Sequence, residues 1–284
     1  MSVVLFASAT NSPGVTTTCL GLALAWPRAV VLVDADRDAG RAVLSGYLIR
    51  SDAAGRAIHQ LMQPYRQGVG LRAGLAHNLI PLRGNAVAGA ANATATLWVK
   101  KAKHTNVVEH PASFLPGFTH PAAASVFEPV WASLGIELNA LDADGVDVLV
   151  DCGRIGIGLP AGLLDVATLV LLVGRSSLRS LAGLEAQLKS VTAARTAAEV
   201  GLLLVGPGRP YSVAEINKQF AVPVMATLPW SSDEAAVLSD GIFRFRHRRD
   251  TALGQAFIAV AAAIQKQARQ RRELLHSETS EVTP

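Results

Sequence analysis

Three stretches of the chain hold residue types that could do phosphate and metal chemistry. The first is SATNSPGVTTT, residues 8–18. It follows a short apolar run, Val3 to Phe6. From Ala7 to Gly14 it carries no large or charged side chain, and it then leads into Thr16, Thr17 and Thr18. A buried strand, a small-residue loop and a Thr-led helix make a cradle for phosphate. The first N–H groups of a helix have no acceptor within it, and they carry the positive end of its dipole. The pattern G-x-x-x-x-G-K-[ST] adds a lysine for the phosphates and a hydroxyl for Mg²⁺. On this sequence it falls on Ala9, Thr10, Asn11, Ser12, Pro13, Gly14, Val15 and Thr16. The second glycine and the hydroxyl are present; the first glycine is Ala9 and the lysine is Val15. The loop has the shape of a nucleotide site without its charge, a shape that also serves as a plain strand-to-helix turn.

The second stretch is AVVLV, residues 29–33, followed by Asp34-Ala35-Asp36, and the third is DVLVD, residues 147–151, followed by Cys152-Gly153-Arg154. In open parallel sheets, ligands sit outside the carboxyl ends of the strands. Acids placed there face the same crevice as the loop of the first strand. An apolar run that ends in an acid, as at Asp151, is the pattern of a residue that holds Mg²⁺ directly or through water. The competing use of Asp34 or Asp36 is to cap the helix that starts near Asp38. Two basic stretches also stand out. Lys100, Lys101, Lys103 and His104 could meet a phosphate or an acidic partner, or form a solvated face. Phe243-Arg244-Phe245-Arg246-His247-Arg248-Arg249 could bind nucleic acid or an anionic surface, or alternate Phe inward and Arg outward.

The elements that must position these residues alternate between strand and helix. Strands are expected at 3–6, 29–33, 78–82, 147–151, 167–173, 200–205 and 222–228. Helices are expected after Thr16, ending at Trp26-Pro27, and over 127–141, 177–193, 212–220 and 251–275. Leu178, Leu181, Leu184 and Leu188 mark one face of the 177–193 helix, and Ser212 with Glu215 forms a capping box. Residues 38–66 read as helix and turn, with Leu44, Leu48, Ile58, Leu61 and Met62 at core positions. This alternation predicts an α/β fold, a doubly wound and mostly parallel sheet flanked by helices. Residues 84–125 lose periodicity and read as an irregular insertion in a single domain over 1–265, and 266–284 as a basic helix end and a disordered polar tail.

With 284 residues, half of them hydrophobic and 17% charged, the chain can bury a large core. A net charge of +4 does not by itself imply nucleic acid. Cys19 and Cys152 lie in apolar segments and read as buried free thiols. The N-terminal apolar run is too short for a secretory signal and has no basic segment before it, and no stretch matches a membrane span. A soluble cytoplasmic protein is expected.

In chain order SATNSPGVTTT, VLVDAD and DVLVDCG resemble the MinD/ParA family of deviant Walker A ATPases, which have a P-loop NTPase-like fold. ATLVLLVGRSSLRSLAGLEAQL is similar to the family's strand and helix after the Walker B acid. VPVMATLPWSSDEAAVLSDG is similar to its final strand, proline turn and following aspartate. The resemblance covers most of the chain apart from 84–125 and the tail. It implies that Thr10, Asn11, Ser12, Pro13, Gly14, Val15, Thr16 and Thr17 surround the phosphates. It further implies that Thr16 and Asp151 hold Mg²⁺ with Asp34 nearby, and that Asp36 is the catalytic acid that positions water. Pro207, beside Gly206, and Pro229 with Trp230 would flank the adenine. The two lysines of the family motif K-G-G-x-G-K-[ST] fall on Thr10 and Val15, and Pro13 removes a backbone N–H. Each lost charge-assisted contact is worth about 1.5–3 kcal/mol. Loss of a transition-state cation costs about 10³–10⁵ in rate. Arg37, Arg154, Arg175 and the Lys100 cluster are candidate substitutes, and the sequence places none of them in the site.

The implied protein is a regulatory, positioning or scaffold factor with a degenerate nucleotide site and weak or no ATP hydrolysis. The alternatives are an active ATPase that drives partition or polar localisation through a nucleotide-dependent dimer, and a nucleic-acid-binding module that uses residues 243–249. The cofactor is ATP or ADP with Mg²⁺, or none. A protein partner, a homodimer and nucleic acid are the partners considered, with no transmembrane segment.

Overall fold

The computed structural model describes residues 3–9, 14–49, 53, 55–82, 110–156, 158–194, 198–241 and 251–281, with side chains through 274. Eight strands form one sheet: β1 (Val3–Ser8), β2 (Val30–Asp34), β3 (Ile80–Pro81), β4 (Ala112–Leu115), β5 (Asp147–Arg154), β6 (Leu169–Arg175), β7 (Glu199–Val205) and β8 (Val224–Leu228). Their order is β3-β4-β2-β5-β1-β6-β7-β8. Every pairing is parallel except β3 with β4, the antiparallel edge. The chain starts in the middle of the sheet, builds one side with β2 to β5, then crosses β1 to build the other with β6 to β8. β1 is therefore the point where the winding reverses, and the crevice above its carboxyl end is where such folds bind ligands.

The helices are α1 (Val15–Ala25), α2 (Ala42–Ser45), α3 (Met62–Arg66), α4 (Arg72–Asn78), α5 (Pro121–Val126), α6 (Trp131–Ala140), α7 (Ala161–Leu164), α8 (Leu178–Ala193), α9 (Val213–Gln219), α10 (Ser232–Ser239) and α11 (Ala252–Glu281). A strand buried on both faces reads as a continuous apolar run, and β1 shows why. Val3, Leu5 and Ala7 face the layer of α6 and α8, whereas Val4 and Phe6 face α1 and α11. In the first layer Phe118, Phe127 and Trp131 stack edge to face with ring centroids 4.9–5.9 Å apart. In the second, α1 is covered on one side by the sheet and on the other by α11. Its leucines at 20, 22 and 24 are all buried, on opposite sides of the helix. A helix apolar all round needs cover all round. Gly21 makes that cover close, since a Cβ there would lie 2.2 Å from the Phe257 ring.

Several expectations hold in detail. Proline ends α1 at Trp26, Ser212 and Glu215 form a full capping box, and Leu253, Phe257, Val260, Ala261 and Ile264 are the buried stripe of α11. Cys19 and Cys152 are buried and free. Others are corrected. The stretch read as irregular over 84–125 contains β4 and α5. Ala112–Leu115 is a core strand beside β2, found by its tertiary partners rather than by its four-residue length. α11 continues past Leu275 to Glu281, and Arg272 within it pairs with Asp142 of the main domain. Leu178 stands 67% exposed at the start of α8, outside the stripe of Leu181, Leu184 and Leu188. Residues 38–66 form only short helical pieces, in which Leu48, Ile58 and Leu61 are buried and Leu44 and Met62 partly so. No described helix is long and apolar enough to cross a membrane.

Candidate functional site

Parallel pairing brings the carboxyl ends of β1, β2 and β5 together. Asp151 lies level with Phe6 on one neighbour and with Asp34 on the other. Above them, Gly14 takes a left-handed conformation (φ 94°, ψ 35°) that only glycine adopts without strain, and α1 begins at Val15 with no side-chain cap on its first amides. The pattern position for lysine, Val15, is buried in the apolar layer that α1 shares with α11. Thr16 and Thr17 are half-buried. Residues Thr10, Asn11, Ser12 and Pro13 lie outside the described residues, as do Lys100, Lys101, Lys103, His104 and 243–249.

The acids form a shared, charge-rich floor. Asp151 is buried; its Oδ1 accepts the Gly153 N–H at 2.9 Å, and the Thr16 side chain lies near enough to draw the same carboxyl down. Asp34 is also buried; its Oδ1 accepts the Asp36 N–H at 3.1 Å, and the nearby Gly117 amide draws the carboxyl down. Asp36 is half-buried and accepts the Asp38 N–H at 3.0 Å. Burial pushes Asp151 up to about 6, against the opposing pull of Thr16 and Gly153. Burial and then the neighbouring Asp151 raise Asp34, and burial raises Asp36. Among the described residues, no lysine or arginine pairs with Asp34 or Asp151.

This donor set fits a divalent cation of the Mg²⁺ type. The Thr16 hydroxyl lies beside the Asp151 carboxyl, hard oxygen ligands are supplied, and among the described residues the local excess of negative charge lacks a paired cation. Thr16 and Asp151 would hold the ion, with Asp34 behind them. When bound it would neutralise charge on phosphate oxygens. Among the described residues no three acids, histidines or cysteines converge closely enough to hold a metal by themselves, so phosphate and water would have to complete its shell.

On the other side of β1 the ends of β6, β7 and β8 are stitched together. The Gly206 N–H donates to the Leu228 carbonyl at 2.8 Å. The Ser176 hydroxyl donates to the Gly206 carbonyl at 2.9 Å and accepts the Arg209 N–H at 3.0 Å. Gly206 has φ 69°, and a Cβ on it would meet Trp230 at 3.0 Å. Pro207, Pro229 and Trp230 are thus neighbours, about 10–14 Å from β1 by strand spacing. Trp230 does not present a bare ring. The Arg175 guanidinium lies over it, 3.8 Å from the centroid.

Sequence reading missed two elements of the site. Gly117 packs so closely that a Cβ would lie 2.6 Å from the Asp34 carboxyl carbon. Its only sequence signal is the Pro116-Gly117 turn after ASFL. The second is a pair of ion pairs that tie down the segment after β2, Arg37 with Glu128 at 3.0 Å and Asp38 with Arg154 at 3.3 Å. Both join residues far apart in the chain, which no local pattern signals.

No protein-family model matches the sequence, and no curated protein matches it by sequence. Solved structures do match. A ParA family ATPase from Chlorobium tepidum TLS superimposes with a TM-score of 0.66 at 14% identity, over 92% of this chain and 98% of that one. The septum site-determining protein MinD from Pyrococcus horikoshii OT3, complexed with Mg-ADP, matches at 0.62 and 19%, over 95% and 98%. The MinC:MinD cell division complex of Aquifex aeolicus matches at 0.63 and 14%, over 94% and 96%. The chain has the fold of the ParA and MinD ATPases along nearly its whole length.

Proposed function

We propose that the chain is a MinD/ParA-like positioning, regulatory or scaffold factor whose nucleotide site is degenerate. It binds ATP or ADP with Mg²⁺ in the crevice above β1, and it hydrolyses ATP slowly or not at all. The observation that carries this reading is the split within one helical turn: the Thr16 side chain draws the Asp151 carboxyl down, against the effect of its burial, while Val15, where the motif has a lysine, is buried in the core. The hydroxyl–acid pair suits a metal–phosphate ligand, and the missing charge removes the main stabiliser of a transferring phosphoryl group. The Mg-ADP held by the MinD of Pyrococcus horikoshii supports a nucleotide here, and the MinC:MinD complex supports a protein partner. In this reading Gly14, Thr16 and Thr17 border the phosphates, Asp36 faces the position of an attacking water, and Pro207, Pro229 and Trp230 border the base.

Calorimetry with ATP and ADP, with and without Mg²⁺, tests the reading. Micromolar, Mg²⁺-dependent binding that Thr16→Ala weakens at least tenfold is the expected result. Absence of binding at millimolar nucleotide would sink it. Fast Mg²⁺-dependent turnover, abolished by Asp36→Ala, would instead establish an active ATPase.

A further inference from the structure

From Ala9 to Val15 the chain carries no positive charge, and Val15 is buried. A di- or triphosphate brought to Gly14–Thr17 would face Asp34, Asp36 and Asp151. A cation must come from elsewhere, and among the described residues the structure separates the arginine candidates. Arg37 is mostly buried and tied to Glu128 by both of its carboxylate oxygens. Arg175 lies over the Trp230 ring at the base side.

Arg154 is placed differently. It ends β5, its Cα is level with Ser8 at the end of β1, and the next amide, Ile155 N–H, donates to the Ser8 carbonyl at 2.9 Å. One strand spacing, about 4.8 Å, separates it from the start of the small-residue loop. The chain turns into this position at Gly153, which has φ +60° and approaches Asp36 so closely that a Cβ would lie 2.3 Å from the carboxyl carbon. The guanidinium also lies near enough to Asp36 to favour its charged form. Its partner is Asp38, at 3.3 Å, and the two side chains are 56% and 62% exposed. Such a solvent-screened pair is weak and exchanges readily.

We propose that Arg154 is the phosphate-binding cation of this site: it leaves Asp38 and takes phosphate oxygens of a nucleoside di- or triphosphate seated at Gly14–Thr17. The planar fork suits that task, because two N–H groups can meet two phosphate oxygens at once. The inference rests on the nucleotide reading above and adds the residue that makes it electrostatically workable.

The test is calorimetric binding of Mg-ADP and adenosine to the full chain and to Arg154→Ala, Arg154→Gln, Asp38→Asn and, as a distant control, Arg72→Ala. Loss of one charge-assisted contact predicts that both Arg154 variants bind Mg-ADP about 10–150-fold more weakly, with adenosine binding unchanged. Asp38→Asn, which frees the guanidinium, is expected to tighten Mg-ADP binding by about 1.4–5-fold. Thermal melts identify any Arg154 variant that is not folded, and the other then supplies the measurement. Wild-type-like Mg-ADP affinity in a folded Arg154 variant overturns the inference and leaves the nucleotide reading standing. Equal losses for Mg-ADP and adenosine also overturn it, as a structural effect. If the wild-type chain binds no nucleotide, the reading itself falls and the inference with it.

Discussion

The two ends of the sheet each gather acids, and they treat them in opposite ways. At the amino end, Asp147 accepts the Trp26 indole N–H at 2.9 Å and lies 3.8 Å from Arg28. Just before it, Asp144 pairs with Arg72 of α4 and Asp142 with Arg272 of α11. Arg28 also donates to the Gly145 carbonyl at 3.2 Å. Three arginines, from α4, α11 and the loop before β2, thus pin one acidic turn. At the carboxyl end, Asp34 and Asp151 are buried side by side with hydrogen-bond donors but with no paired cation among the described residues. The first arrangement stabilises the fold by matching charge. The second leaves charge unmatched, at a cost that a bound cation would offset.

Substitutions break or sharpen this contrast. The largest effect is expected at Asp147→Ala, which leaves the buried Trp26 N–H and Arg28 facing an empty site. Chemical denaturation should show a loss of about 3 kcal/mol or more. At the other end, Gly117→Ala drives a methyl into the Asp34 carboxyl and should cost about 1–3 kcal/mol, by overpacking. Asp151→Asn has the opposite sign. The folded-state pKa of Asp151, about 6, lies above its ordinary value of 3.8. The folded chain therefore holds that proton more tightly than the unfolded one, and the contribution of Asp151 to stability falls as pH rises through this window. The variant should be more stable than wild type at pH 7.5, by about 1–3 kcal/mol. That advantage should fade as the pH is lowered toward 4, and paired melts at the two pH values measure it. An unchanged difference across that range would mean that Asp151 is not strained by its burial. The smallest effects belong to the exposed amino-end pairs. Arg72→Ala should cost less than about 1 kcal/mol, and the loss should shrink further in high salt.

The site was legible to the extent that it is local. Asp34 and Asp151 stand out because each ends an apolar run, and strand ends in a parallel sheet converge; Thr16 stands out because it opens a helix after a small-residue loop. β4 was not legible. Its four residues, ASFL, have no period of their own, and they become a strand because β2 offers a free edge and β3 closes the other side. The anchor of the basic end of α11 was not legible for a related reason, since Asp142 lies far away in sequence. Trp230 was placed beside Pro207 and Pro229, but the arginine over its ring comes from another strand.

The sequence by itself determined the alternation of strands and helices, the burial of both faces of the sheet, the glycine at the start of α1 and the missing lysines. These follow from side-chain period, size and charge, which each residue carries wherever it lies. Only the tertiary structure decided which arginine meets which acid. Arg37 goes to Glu128, Arg175 to Trp230, and Arg154, at the end of β5, to Asp38. A guanidinium on a long, flexible stem has no local preference for a partner, so its place is set by where strand order and turn geometry bring its Cα.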